Sequence, residues 1–506
     1  MTTYSPGKQL KLDTKEHIQP YCDELEKLTN VTKIDFSGNT LGVEASEALA
    51  AALAKHKHTV TEIDFSDIYT GRLNTEIPKS LDHLLPALLE FDNLTTINLS
   101  DNAFGLQSFD PIERWLSQAV TLEHLILANN GMGPFVGARI GTSLFRLAEQ
   151  KKAKGKPSLK TFICGRNRLE NGSTNHLAVG LRNHADLKEV RLYQNGIRPA
   201  GVAKLIRGMS ARLRNLEVLD LQDNTITASG ADAIAEALAD KWTSLTELNL
   251  NDALLKPAGS LAVVKALPKS LVTLKLQYNE LREDALKELL RKVQDGELPK
   301  LTTVELNGNQ FEEDHADSES LREALEARDG ELDELDELEE IDSDDDDDDD
   351  DETDADRLEE DMDLDTLEAD LGGKLEEQDQ AVDDIAAELE KTHIEDVPEM
   401  EPGEILGTIV TQHDKVDKTG VIADNHSVGE VATIDTDHAD SSHHTPKVVG
   451  HDSFHLGHLW KNSTNDETHE TKKQDKSTEY SEANEYPPSI GFGGNSLHRY
   501  LVKGEA

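Results

Sequence analysis

Residues 216–240 read LEVLDLQDNTITASGADAIAEALAD, and two periods meet inside that stretch. In the first half Leu216, Leu219, Leu221, Asn224 and Ile226 fall in the order L-x-x-L-x-L-x-x-N-x-L, whose alternating part reads as a short strand. In the second half Ala231, Ile234, Ala235 and Leu238 lie at i, i+3, i+4 and i+7, which predicts one apolar helix face for packing against strands. The Asn stands where strand gives way to helix, where a side-chain amide satisfies backbone groups that the turn leaves open.

The same order begins again at Val31, Val60, Leu94, Leu122, Leu159, Leu187, Leu245, Leu271 and Leu301, so the chain holds ten units, mostly 28–30 residues apart. Ten chance matches at one period are not credible, and this period belongs to the helix-containing leucine-rich repeat. Two units replace the Asn, with Ile68 and Ala253. The expected fold is an α/β leucine-rich-repeat solenoid, a ribonuclease-inhibitor-like horseshoe with a parallel sheet on its concave face and helices on its convex face. Residues 1–30 read as an N-terminal cap, 31–328 as the repeat domain closed by a polar-faced helix at 312–328, 329–370 as an acidic low-complexity run, and 371–506 as a disordered polar tail.

Charge divides along the same lines. The 506 residues carry 100 acids against 51 Lys and Arg, a net of −49. Residues 1–330 hold 46 acids and 39 bases, 331–370 hold 26 acids and one base, and 371–506 hold 28 acids and 11 bases. A near-neutral folded block is therefore followed by an acidic run that lacks the apolar surface to offset chain entropy. Segments 357–370 and 380–391 have the spacing of transient amphipathic helices. The tail from 371 holds 11 of the 19 histidines without metal-ligand spacing. Direct nucleic-acid binding is disfavoured, because phosphate neutralisation needs clustered Lys and Arg. Cys22 and Cys164 are isolated, which argues against a disulfide scaffold or a zinc ribbon. The N-terminus has no apolar stretch and no run of 18 apolar residues occurs, so a soluble intracellular protein without membrane insertion is expected.

In each unit the third, fifth, seventh and eighth places face away from the leucines. Across ten units these places carry 11 acids, Asp35, Glu62, Asp64, Asp67, Asp101, Glu189, Asp220, Asp223, Glu247, Asp252 and Glu305, against Lys33, Arg166, Arg191 and Lys275. That bias predicts a basic protein partner steered by charge, or, in the plainer reading, a solvated face. The second unit is stretched by DFSDIYTGRLNTEIP, which presents Arg72 beside Gly71, either a functional loop with a flexible arginine or a tolerated insertion. The fourth contains LANNGMGP, where Asn130 takes the structural place and Asn129 is an exposed amide beside it. KKAKGKPSLK at 151–160 reads as a solvated basic bulge. No GxxxxGK[ST], HExxH or GxSxG occurs, so nothing points to nucleotide hydrolysis or peptidase chemistry by this chain itself. VKGE at 502–505 fits the short shape of a ubiquitin-like-modifier attachment site, a pattern met often by chance.

In order, SDIYTGRLNTEIP, LSDNAFG, LEHLILANNGMGP, ICGRNRLENGS, QNGIRP, LDLQDNTIT, LQYNEL, ELNGNQF and GELDELDELEE closely resemble the GTPase-activating proteins of the small nuclear-transport GTPase Ran, in their fungal form, over about residues 8–340. The resemblance implies a cytoplasmic activator, perinuclear and excluded from the nucleus. It binds GTP-loaded Ran, with a Ran-binding protein as a further member of the complex, and needs no cofactor or metal. Arg72 falls on the family's arginine important for activity, and Asn129 on its asparagine near Ran's catalytic glutamine. The family works without inserting an arginine finger and orients that glutamine instead. Asp67, Asp101, Arg166, Asp223 and Asp252 are then expected to hold Ran's surface. Without the resemblance, a leucine-rich-repeat scaffold or inhibitor that binds without stimulating catalysis, and an acidic-tail chaperone for basic proteins, fit the composition as well.

Overall fold

The computed structural model describes residues 2–312, 315–338, 363–375 and 377. The ten alternating segments form ten three-residue strands, from Lys33–Asp35, Glu62–Asp64, Thr96–Asn98 and His124–Ile126 through to Thr303–Glu305, all parallel in one sheet. Register is place for place: Lys33 pairs with Glu62, Glu62 with Thr96, Thr96 with His124, and Thr273 with Thr303. Parallel neighbours need a crossover, and each unit supplies a helix, for example Gly133–Ala153, Thr174–Arg182, Pro199–Arg212 and Thr227–Asp240. The chain is thus an α/β leucine-rich-repeat solenoid.

Its core is the leucine ladder packed against the helices. Leu216, Leu219 and Leu221 are fully buried, as are Ala231, Ile234 and Ala237 on the helix that follows. The buried helix face is Ala231, Ile234, Ala237 and Leu238, and Ala235 is left half-buried at its edge. The ladder asparagines run beneath. Asn130 Nδ2 donates to Leu127 O and to Leu99 O of the preceding unit, while its Oδ1 accepts the backbone N–H of Asn102. One amide thus serves a buried donor and the acceptors of two turns, and each carbonyl is shared with a second ladder asparagine, Leu99 O with Asn102 and Leu127 O with Asn167. Where Ala253 replaces Asn, Asn279 of the next unit still donates to Leu250 O at 2.7 Å and accepts from Ala253 N.

Both ends of the sheet are closed. Thr3–Tyr4 pairs with Lys33 and Ile34, and Lys11–Leu12 forms a small second sheet with Thr40–Leu41, so residues 1–30 add strands as well as the helix Lys15–Lys27. At the far end Glu331–Leu332 pairs with Thr303 and Val304, extending the sheet to 12 strands beyond the boundary expected at 328. The reason lies in L-x-x-L spacing that continues into the acidic run, with Leu332 and Leu335 both buried. Asp333 closes the edge, accepting from Leu306 N, Asn307 N and Gln277 Nε2. A helix at 364–375 lies on the outer helices. The histidine-rich tail, the 380–391 segment and VKGE fall outside the described residues. No helix among the described residues is long and apolar enough to cross a membrane.

The basic bulge is only partly solvated. Lys151 is buried, and its ammonium donates to Val120 O, Leu122 O and Pro157 O. Burial lowers its pKa to about 8. A cation placed on orphan carbonyls at the end of a crossover explains why a lysine stands there.

Candidate functional site

The eighth residue of every unit is left-handed. Its φ is +69° at Gly38, +49° at Asp67, +63° at Asp101, +55° at Asn129, +58° at Arg166, +52° at Gln194, +54° at Asp223, +52° at Asp252, +53° at Tyr278 and +70° at Gly308. The conformation lets the N–H of that residue reach the seventh carbonyl of the next unit, as Asp101 N does to Ala128 O and Asn129 N to Gly165 O. The side chain is then thrown onto the rim of the sheet. Asp, Asn and Gly tolerate this backbone best, so part of the acidic bias has a conformational cause.

The acids on the strands themselves are mostly neutralised. Arg191, 9% exposed, pairs with Glu189, Asp220 and Glu247 at 2.5, 3.3 and 2.9 Å. Burial works against the Arg191 charge, and the hydrogen bond and charge of Glu247 overcome it, so the guanidinium is held more firmly charged than usual. Lys33 pairs with Glu62, Lys275 with Glu305 and Lys8 with Asp35. Asp64 accepts from Ser66. On the rim, by contrast, Asp223 and Asp252 have no cationic partner among the described residues. Burial and then the charge of Asp223 push the Asp252 carboxyl above its ordinary range. Both line an open cleft of about 500 Å³ with Glu170, Gln194 and Leu254. Asp67 accepts from Thr70 Oγ1.

Asn129 is exposed, and its Nδ2 donates to Asp101 Oδ1 at 2.7 Å. A carboxylate accepts and cannot donate, which fixes the amide orientation and leaves Oδ1 facing outward. Ile126, Ala128 and Ile163, packed with Tyr193, make a small apolar floor beside it. Arg166 is exposed one unit along.

Arg72 is not the flexible side chain its loop suggested. Its side chain is 10% exposed, with Nε donating to Thr40 Oγ1 at 2.8 Å, Nη2 to Thr40 O at 3.1 Å, and Nη2 2.5 Å from Asp13 Oδ1. Desolvation raises the Asp13 pKa, and the hydrogen bond and charge of Arg72 outweigh it, so the net shift is downward. The loop is anchored by buried Ile68 and Tyr69, whose hydroxyl meets Ser80. Beneath it Gly42 is required, because a Cβ there would stand 2.2 Å from Asp13 O. Arg72 thus clamps the small N-terminal sheet to the first units.

Sequence reasoning missed an apolar strip on the same rim. Leu73, Leu106 and Phe135 are 65%, 55% and 65% exposed and come from three successive units, Leu73 from a loop, Leu106 from a short 3-10 turn and Phe135 from the first turn of the helix Gly133–Ala153. Asn74 donates to Gln107 Oε1 at 2.7 Å and ties the first two together. The signal was available, since all three stand at place 13 or 14 of their units. Likewise Ile126 and Ile163 are apolar at place five, where six other units carry charge, and Ala128 is apolar at place seven, where most units carry a polar residue.

Comparison with known proteins gives the following. A family model described as Leucine Rich repeat matches residues 212–235. Ran GTPase-activating protein 1 of Saccharomyces cerevisiae is 48% identical over 317 residues, 61% of this chain and 78% of the yeast protein. Ran GTPase-activating protein 2 of Caenorhabditis elegans is 45% identical over 199 residues, 38% of this chain and 20% of the worm protein. Ran GTPase-activating protein 1 of Xenopus laevis is 40% identical over 195 residues, 38% of this chain and 33% of the frog protein.

Proposed function

From the premise that the chain belongs to the Ran GTPase-activating protein family, and so activates GTP hydrolysis by Ran, we propose that the rim bearing Asn129 is the surface that does so. The single observation that carries this reading is the Asn129–Asp101 hydrogen bond on an exposed, left-handed residue. Hydrolysis in such GTPases needs a water held in line by a glutamine, and preorganised polar groups accelerate it by fixing that geometry. With its Nδ2 committed to Asp101, Asn129 offers Oδ1 to the amide N–H of Ran's glutamine and leaves the glutamine oxygen for the water. The activator then supplies orientation and water exclusion, with no catalytic centre of its own.

Arg72 acts from its clamped position. To become a finger it must give up Thr40 and Asp13, so its role in this reading is to dock and order Ran's switch region at the interface edge. Asp67, Asp101, Asp223 and Asp252 attract basic Ran surface, Arg166 adds a polar contact beside Asn129, and Leu73, Leu106 and Phe135 supply desolvated area. GTP-bound Ran is the form engaged, a Ran-binding protein joins the complex, and the reaction returns Ran to its GDP form in the cytoplasm as part of nucleocytoplasmic transport.

Single-turnover hydrolysis by GTP-loaded Ran tests this. Asn129→Ala is expected to lower the rate at saturating protein, and Arg72→Ala to raise the concentration needed for half-maximal rate. Unchanged rates and concentrations for both variants would sink the assignment, and binding without stimulation by the wild-type chain would favour the scaffold reading.

A further inference from the structure

The helix at 364–375 reads LDTLEADLGGKL and places Leu364, Leu367, Leu371 and Leu375 on one stripe. On its own such a segment does not hold. Twelve residues are marginal for an isolated helix in water, and Gly372 and Gly373 weaken it further. Asp363 caps its start, accepting from Thr366 N and Thr366 Oγ1, but a cap does not offset those losses. Its order therefore comes from what it lies on.

That surface is built to receive it. Leu367 and Leu371 are buried against Phe145 and Val179, which the helices Gly133–Ala153 and Thr174–Arg182 turn outward, away from the leucine ladder. Leu364 fits over Gly208, where a Cβ would stand 2.6 Å from Leu364 Cδ1. Arg182 is 4% exposed in its side chain and donates to Leu364 O and Asp365 Oδ1 at 2.9 and 2.8 Å and to Glu368. Arg212 Nη1 donates to Glu368 Oε1 at 2.7 Å. A cation this deeply covered needs carboxylates beside it, and the chain places them more than 180 residues away in sequence.

We propose that the groove between these outer helices is a docking site for an acidic amphipathic helix, and that its resident occupant is this chain's own 364–375 segment. Occupant and receptor are joined covalently, so docking competes at the high effective concentration of an intramolecular ligand. An acidic helix from elsewhere must displace the resident one. The site lies on the helical side of the solenoid, apart from the rim that carries Asn129, and does not depend on how that rim works.

Hydrogen exchange on the full-length chain tests it. In the wild type the amides of 367–375 should exchange at least about tenfold more slowly than in the Leu367→Asp/Leu371→Asp variant, whose substitutions lie outside the repeat core. A fluorescent peptide of residues 361–377 should bind that variant at least about tenfold more tightly than it binds the wild-type chain, whose groove is already filled. Arg182→Ala should remove both effects. Equal exchange in wild type and variant, or peptide binding that is equal or undetectable in both, would overturn the proposal. Ran hydrolysis at saturating protein should be the same in wild type and variant, which separates this test from that of the rim.

Discussion

Seven acids borne on the strands and four on the left-handed residues just beyond them belong to the same ten units. Six of the seven sit beside a cation, and none of the four does among the described residues. The difference separates charge that holds the molecule together from charge left for a partner. Strand acids lie close to neighbouring strands, about 4.8 Å away, where a Lys or Arg of the same or a nearby strand, or Lys8 of the N-terminal cap, reaches them. Rim residues diverge outward from the sheet edge, and their carboxylates meet solvent first.

The comparison breaks most visibly at Asn129 and its neighbour. Asn129→Ala is expected to lower the saturated single-turnover rate by roughly 10²-fold, the scale seen for removing one preorganised polar group, with little change in melting. Asn130→Ala should do the reverse. It leaves Asn102 N without its acceptor and takes one of two side-chain donors from Leu99 O and Leu127 O, which keep Asn102 and Asn167, at about 1–3 kcal/mol of stability. Rate and thermal-unfolding measurements on both variants decide it. If Asn129→Ala melts early with a normal rate, the rim residue is structural after all.

Arg191→Ala probes the strand side at similar size. It strands Glu189, Asp220 and Glu247 together in a largely buried position, and about 3 kcal/mol of destabilisation is expected in denaturant unfolding. Affinity for Ran, measured below the transition, should hold. The rim counterpart is Asp223→Asn with Asp252→Asn, expected to weaken association roughly tenfold at low salt, chiefly in the on-rate. Its stability should stay within about 0.5 kcal/mol. A strand variant that loses affinity while remaining folded would erase the distinction between the two strips.

These contrasts also show what the residues alone disclose. Strand register was legible because leucine spacing repeats, and pairing of Lys33 with Glu62 or Thr273 with Thr303 follows from place number. The left-handed rim was half-legible, since Asp, Asn and Gly recur at place eight, but Arg166, Gln194 and Tyr278 hide the pattern. Which acids are paired was not legible, because the Arg191 network crosses three strands. Nor was the clamp on Arg72, whose partners Thr40 and Asp13 lie one and two units back in the chain. The helix at 364–375 showed its stripe, but the groove that orders it is assembled from Phe145, Val179, Arg182 and Gly208, which no local pattern joins.

The smallest effect comes from pH, and here the strand acid Asp35 and the rim acid Asp252 should respond with opposite sign, while burial raises the pKa of the strand acid Asp220 as well. Burial raises the Asp35 pKa, but Ser37 and Lys8 outweigh it and the net shift is downward. Its contribution to stability is therefore full above the ordinary carboxylate pKa and is lost only as pH falls through the depressed folded value. At Asp252 burial and Asp223 raise the folded pKa, so this group takes up a proton before Asp35 does on acidification. Protonation there relieves a small strain in the folded state and removes one charge from the rim. Acidifying from neutrality should thus weaken Ran binding before it lowers the melting temperature. Asp223→Asn removes the like charge beside Asp252 and should move the fall in affinity to lower pH. Titrations of affinity and of melting on the wild type and that variant are the check; a fall in affinity that tracks the melting temperature in both would mean that the rim and the strand acids titrate as one surface.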